Sequence, residues 1–396
     1  MPKRLTSEQV GGCAVWLVPL LLLTVAGCCR LSRTEGESWA EQEFSFVSSY
    51  DSTRQLAVVY APSAPLHEPV PLLVVAHYLG GTRFTAREIG YYDEVRRRGW
   101  LLVCPELHGH RTPGQTSFAA LEAQHDVIDA IGYVQERYPV DPTRIYVAGR
   151  SMGGMLAAMM AAKYPDLFAG AVVGQGISDL QLWVEESPRF RDAVVAECLV
   201  YHDSTAFDYA RRSSIFFAPN LAMVPVVFWH GTNDWWVVAQ QTSRLHDSLR
   251  VYNPYVEPVH WIQQAPHCDG VVSAGWVCDR LEPLRNVCEA GDGTITRYLP
   301  RLTFVTDEDK RYYWIGVERH RGELFARISA RMQGDTAVVA ASNTRRITIH
   351  EERIGAETTV RYYRYSSSDP VELKLRRRDG SVVRTLPGKR GSGAFL

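Results

Sequence analysis

From residue 46 to about 270 the chain alternates short, unbroken apolar runs with amphipathic stretches of helical period, and from Thr294 onward the period drops to two and stays there. The first texture predicts strands at residues 56–60, 72–77, 100–104, 145–148, 170–174, 225–230 and 259–263. Runs such as L-L-V-V-A and V-P-V-V-F-W lack polar alternation, as strands buried on both faces do. Helices are predicted between them at 86–98, 119–137 and 152–164. Strands separated by helices imply a mostly parallel sheet covered on both faces. The second texture, broken by Gly, Asp and Ser turns, predicts antiparallel strands at 312–317, 324–331, 336–341, 346–350, 358–365, 371–377 and 381–386, the makings of a small β-sandwich.

Ahead of both lies a leader: Lys3 and Arg4, an apolar run over residues 14–26, then Gly27 and Cys28. A basic start, a short apolar core and small residues at its end read as an export signal. Interrupted by Pro19, the run falls short of the ~20 residues that a bilayer-crossing helix needs. Its end, Val25-Ala26-Gly27-Cys28, resembles the lipobox of bacterial lipoproteins. That resemblance makes Cys28 the lipidation site and holds the protein to a bacterial membrane, periplasmic or at the cell surface; a plain secretory signal is the alternative. The expected organisation is signal 1–27, polar tether 28–45, catalytic unit 46–293 and β-unit 294–396, with the aromatic-rich stretch 178–220 as a cap.

Composition narrows the functions. A chain of 396 residues with 46% hydrophobic content buries a large core, and 43 basic against 44 acidic residues leave a net charge of -1. No field favours polyanions, so nucleic acid is excluded as a partner. Of 8 cysteines, Cys104 sits in an apolar strand run and reads as a buried thiol, whereas Cys198, Cys268, Cys278 and Cys288 lie in more polar segments where export permits one or two bridges, with the pairing open. No Cys-x-x-Cys pair suggests zinc, and no metal site is expected.

The chemistry concentrates in Gly149-Arg150-Ser151-Met152-Gly153-Gly154, which a strand enters and an Ala-rich helix leaves. A serine on such a turn occupies a strained backbone, and glycines around it let strand and helix approach. The Met152 amide at the helix N-terminus suits an oxyanion. After the strand 225–230 comes Asp234 in F-W-H-G-T-N-D, a candidate to orient a histidine; its bland reading is a turn aspartate, and Asp208 and Asp269 stand in reserve. His267, on the loop after the last apolar run, is the candidate base, with His260 as its rival. Tyr78 or Leu79, in V-V-A-H-Y-L-G-G-T, would supply the second oxyanion amide, with His77 supporting the loop. Trp235, Trp236 and Arg150 are the candidate substrate contacts.

These blocks, with Pro105-Glu106-Leu107-His108-Gly109-His110, resemble the α/β-hydrolase superfamily over about residues 55–275, within its esterase and prolyl-oligopeptidase-like branch. Tyr78 stands where that family usually has glycine. The resemblance implies an α/β-hydrolase fold and an acyl-enzyme cycle run by Ser151, His267 and Asp234, with no cofactor. The substrate is then a small-molecule or polymeric ester. Two other readings stand beside it: a prolyl-oligopeptidase-like peptidase, for which the stretch before the first strand is too short to hold a shielding propeller, and an inactive surface-binding lipoprotein. The β-unit's ligand is unknown; the run Arg361-Tyr362-Tyr363-Arg364-Tyr365 reads as exposed sheet cover.

Overall fold

The apolar runs do become strands, and they assemble into one eight-stranded sheet. The structure is a computed structural model that describes residues 38–109, 117–198, 206–267, 272–286, 299–333, 336–354, 362–366, 371–376 and 379–385. The sheet comprises β1 (Trp39–Val47), β2 (Arg54–Pro62), β3 (Val70–Ala76), β4 (Leu101–Pro105), β5 (Val140–Arg150), β6 (Gly170–Gly174), β7 (Val226–Gly231) and β8 (His260–Ile262). Their spatial order is β1-β2-β4-β3-β5-β6-β7-β8. At one edge β1 with β2 and β2 with β4 pair antiparallel, and every other pair is parallel. All seven residues of β3 are buried, because helices cover both of its faces. On one face α2 (Tyr91–Arg98) and α10 (Ala274–Leu281) pack around Trp229 and Tyr146. On the other, α3 (Leu121–Arg137), α4 (Met152–Lys163) and α9 (Ala239–Tyr252) enclose the larger core.

Several expectations need correction. Residues 39–45, assigned to the tether, belong to the edge strand β1; of W-A-E-Q-E-F-S-F-V only Phe44 is buried, so the strand carries almost no hydrophobic signal. The helix expected at 86–98 is split by Gly90, whose φ of 85° ends α1 (Thr85–Glu88) and opens α2. Cys198 and Cys278 are buried free thiols, as is Cys104, and so form no bridge; Cys268 and Cys288 lie outside the described residues. The signal segment and Cys28 also lie outside them, and no described helix is long and apolar enough to cross a membrane.

The aromatic stretch 178–220 folds as α5 (Leu180–Glu186), α6 (Arg191–Cys198), α7 (Ala206–Arg211) and α8 (Ala218–Leu221). Downstream, β9 (Arg301–Thr306), β10 (Lys310–Tyr312), β11 (Ile315–Arg319), β12 (Ala326–Gln333), β13 (Thr336–Ser342), β14 (Thr344–His350), β15 (Tyr362–Ser366), β16 (Glu372–Arg376) and β17 (Val382–Thr385) make two sheets, ordered β10-β11-β14-β16-β17 and β15-β13-β12-β9. Both sheets contribute to a single apolar cluster around Trp314, Phe304 and Ile347. β9 was not expected from the sequence. The pairing is antiparallel except for β13 with β15 and β14 with β16. Arg361 and the side chains of residues 362–366 lie outside the description, so their role as sheet cover stays an expectation.

Candidate active site

Strand β5 delivers Ser151 directly to the start of α4, and the serine holds φ 58° and ψ −125°, a conformation an L-residue keeps only when its surroundings impose it. The surroundings do so by contact. A Cβ on Gly149 would run into the Gly153 carbonyl, and one on Gly153 into the Ala76 carbonyl at the end of β3. The strained turn is pinned from β6, where the Gly174 carbonyl accepts the Ser151 amide at 2.9 Å. Met152 becomes the first residue of α4, so its amide has no carbonyl one turn earlier and lies at the positive end of the helix dipole.

Asp234 follows β7 and His267 follows β8. The Ser151 hydroxyl donates to His267 Nε2 at 2.9 Å, and His267 Nδ1 donates to Asp234 Oδ2 at 2.6 Å. Three residues far apart in the chain thus form one line of hydrogen bonds, all of them buried. The other oxygen, Asp234 Oδ1, accepts the amides of Trp236 and Val237, each at 2.9 Å. The turn amides and the histidine, set against each other as readings of the sequence, are both hydrogen-bonded by this one carboxylate. Burial pushes the Asp234 carboxyl up, but hydrogen bonds from His230 and His267 outweigh it and hold the group at about 2, ionised at neutral pH. An imidazole so placed can accept a hydroxyl proton and stabilise the resulting charge.

His260 and Asp208 are elsewhere. His260 is exposed on β8 with its ring against Trp276 at 5.1 Å, Asp208 pairs with Arg212 at 3.3 Å, and Asp269 lies outside the described residues. His77 has both ring nitrogens on backbone carbonyls, of Tyr78 at 2.9 Å and Glu106 at 2.6 Å, and so braces the loop after β3. In that loop the Gly81 amide closes a turn onto the Tyr78 carbonyl at 2.8 Å. Tyr78 and Leu79 directly follow Ala76 and His77, whose carbonyls lie against Gly153 in the first turn of α4.

The candidate contact residues separate into two groups. Trp236 stacks on the His267 ring, 5.5 Å between centroids and 18° between planes, and Trp235 meets Trp236 at 5.9 Å. Arg150 instead sets its guanidinium over the Tyr78 ring at 4.8 Å and lines a cavity of about 680 Å³ between α2 and α10, with Glu88, Asp93 and Glu94. Phe207 and Phe216 of the expected cap pack against Phe325.

Two supports escaped the sequence reading. His230 accepts from the Thr242 hydroxyl at 2.7 Å, donates to the Val237 carbonyl at 2.8 Å and stands 3.3 Å from Asp234 Oδ2. Gln175, at φ 44°, donates to the Pro266 carbonyl at 2.9 Å and so fixes the residue before His267. His230 carried a signal as part of the H-G-T-N-D block; Gln175 carried none. Among the described residues no group of three His, Cys, Asp or Glu could hold a metal.

Parts of the chain are similar to known proteins. The profile of the Prolyl oligopeptidase family matches residues 113–273. An acetylxylan esterase of Coprinopsis cinerea is 30% identical over 223 residues, covering 52% of this chain and 55% of that protein. Feruloyl esterase B of Neurospora crassa is 27% identical over 129 residues, 30% of this chain and 43% of that one. The chain spans about half the length of the curated relatives it matches. Among solved structures a puromycin hydrolase superposes with a TM-score of 0.50 at 20% identity, over 62% of this chain and 38% of its own, a likeness of fold. The fold is of the α/β-hydrolase class, and residues 113–273, which hold the strained serine, are similar to the Prolyl oligopeptidase family.

Proposed function

We propose that the protein hydrolyses carboxylic esters outside the cytoplasm through an acyl-enzyme intermediate. The observation that carries the reading is the continuous line from the Ser151 hydroxyl to His267 Nε2 and from His267 Nδ1 to Asp234. Ser151 attacks the ester carbonyl as His267 takes its proton, and the charge that develops on the carbonyl oxygen meets the amides of Met152 and of Leu79 or Tyr78. As the intermediate collapses, His267 returns the proton to the departing alcohol oxygen. Water then repeats the sequence on the acyl group, with the same histidine as base. Asp234 stays ionised throughout and fixes the imidazole's tautomer. Ester rather than peptide specificity is supported by the relatives named as acetylxylan and feruloyl esterases.

The test is labelling of the protein by a fluorophosphonate, with Ser151→Ala as control, beside turnover of a short-chain ester and a proline amide. Labelling lost in Ser151→Ala and ester turnover above amide turnover is expected. Faster amide cleavage would move the protein to the peptidases, and a folded protein that does not label would remove the catalytic reading. Export and lipid anchoring belong to the same proposal, supported by the leader and Val25-Ala26-Gly27-Cys28. A mature N-terminal peptide that begins at Cys28 and carries acyl mass is expected by mass spectrometry; one that begins elsewhere would exclude the anchor.

A further inference from the structure

Beside the histidine, the surface carries an aromatic plate that the reaction scheme leaves unused. Trp235 is 62% exposed, an uncommon display for the largest apolar side chain. It is nevertheless anchored. The guanidinium of Arg189 lies over the Trp235 ring at 4.4 Å, and over the rings of Trp236 and Phe190 at 4.9 Å each, while its Nη2 donates to the Trp235 carbonyl at 3.2 Å. Beneath, Trp183 stacks on Phe190 at 4.9 Å, and both the Trp183 indole and the Ser187 hydroxyl donate to the Trp236 carbonyl, at 2.8 and 2.9 Å. These contacts fix the plate before any substrate arrives, so little ordering is left to be done on binding.

Its position says which part of an ester it meets. His267 hands its proton to the departing alcohol oxygen, so the alcohol part of the substrate lies on the histidine's side of Ser151. Trp236 covers that histidine's ring face, and Trp235 continues the surface outward. Arg189 lies over one face of Trp235, and the indole's remaining exposure offers a flat apolar surface next to a guanidinium. A flat apolar face with a guanidinium donor close by fits a ring whose C–H groups stack and whose outward hydroxyls can accept from that donor.

Resting on the esterase reading, we propose that Trp235 and Arg189 form a leaving-group subsite for a sugar ring, so that the alcohol released is a saccharide hydroxyl. The experiment compares kcat/KM for three esters: a monoacetylated methyl xyloside, ethyl acetate and methyl ferulate. In Trp235→Ala the ratio of xyloside acetate to ethyl acetate falls about tenfold, mainly through KM, and Trp235→Tyr restores most of it. Arg189→Ala lowers the same ratio. The ratio of methyl ferulate to ethyl acetate holds, because the ferulate ring is in the acyl part. A xyloside ratio within twofold of wild type in Trp235→Ala, or a loss confined to methyl ferulate, overturns the subsite while ester hydrolysis by Ser151 stands. If the wild-type protein cleaves none of the three esters but cleaves an amide in a Ser151-dependent way, the esterase reading fails and the subsite with it.

Discussion

At Asp234 the two carboxylate oxygens have different partners, and substitutions can separate them. Asparagine keeps an oxygen to accept the Trp236 and Val237 amides, but presents an N–H to His267 Nδ1. The imidazole then adopts the tautomer with its proton on Nε2, which cannot accept from Ser151. Asp234→Asn is therefore expected to lower kcat about ten-thousandfold while keeping the fold, with unfolding at neutral pH made easier by the loss of the ionised carboxylate. Asp234→Ala loses the cap as well and is expected to cost a further ~1 kcal/mol of stability. Equal activity in Asp234→Asn and wild type would remove the orienting role. The same carboxyl sets an acid limit. Its folded value of about 2 lies below the ordinary ~3.9 of an aspartate, so its stabilisation is fully present above pH ~4 and is lost as pH falls through about 2. Unfolding free energies measured from pH 5 to 2 should fall less steeply in Asp234→Asn than in wild type; parallel curves would show that this carboxyl does not govern the decline.

Strands and helices were legible in proportion to how symmetrically they are buried. β3, β4 and β7, covered on both faces, stood out as unbroken apolar runs, whereas β1, with Phe44 as its one buried residue, did not. The serine turn was readable because its demands are local: a strand, glycines at fixed offsets and a helix. The candidate acid and base followed from chain order, since each sits just past a strand end. What the sequence withheld are the convergences of distant segments. Arg189 from the stretch after α5, Trp236 from the loop after β7 and His267 from the loop after β8 share no spacing rule, and Gln175 reaches Pro266 only once β6 and β8 are folded into one sheet. The contact between α4 and β3 offers the test at this scale. Gly153→Ala puts a methyl into the Ala76 carbonyl and must push the first turn of α4 away from β3. A loss of ~1–3 kcal/mol in stability is expected, with activity falling further than stability predicts because Ser151 and Met152 move with that turn. Unaltered kcat in a stable Gly153→Ala protein would show that the turn tolerates the shift.

Over the whole molecule, the far end of α4 joins the serine's helix to the C-terminal sheets. Lys163, its last residue, is wholly buried and meets Asp307 at 2.8 Å and Glu308 at 3.0 Å, and Arg211 meets Asp307 at 3.0 Å. Asn220 exchanges two hydrogen bonds with the Val305 backbone, at 2.8 and 2.7 Å, and the Tyr313 hydroxyl donates to the Pro165 carbonyl at 2.9 Å. Val305 itself packs into the hydrolase core. Contacts of this kind couple the two cores, so heat should unfold the protein in one transition. Removing one partner of a buried pair strands the other charge, and Lys163→Met is expected to lower stability by ~3–5 kcal/mol. The double change Lys163→Met with Asp307→Leu replaces that charge with apolar volume and should recover part of the loss, less than in an isolated pair because Glu308 and Arg211 lose a neighbour too. Calorimetry distinguishes the possibilities. A single transition shifted downward by Lys163→Met and partly restored in the double variant supports one cooperative unit. A second transition that ignores both changes would mean that the sheets from β9 to β17 hold together without the hydrolase core, and that the buried lysine only attaches them to it.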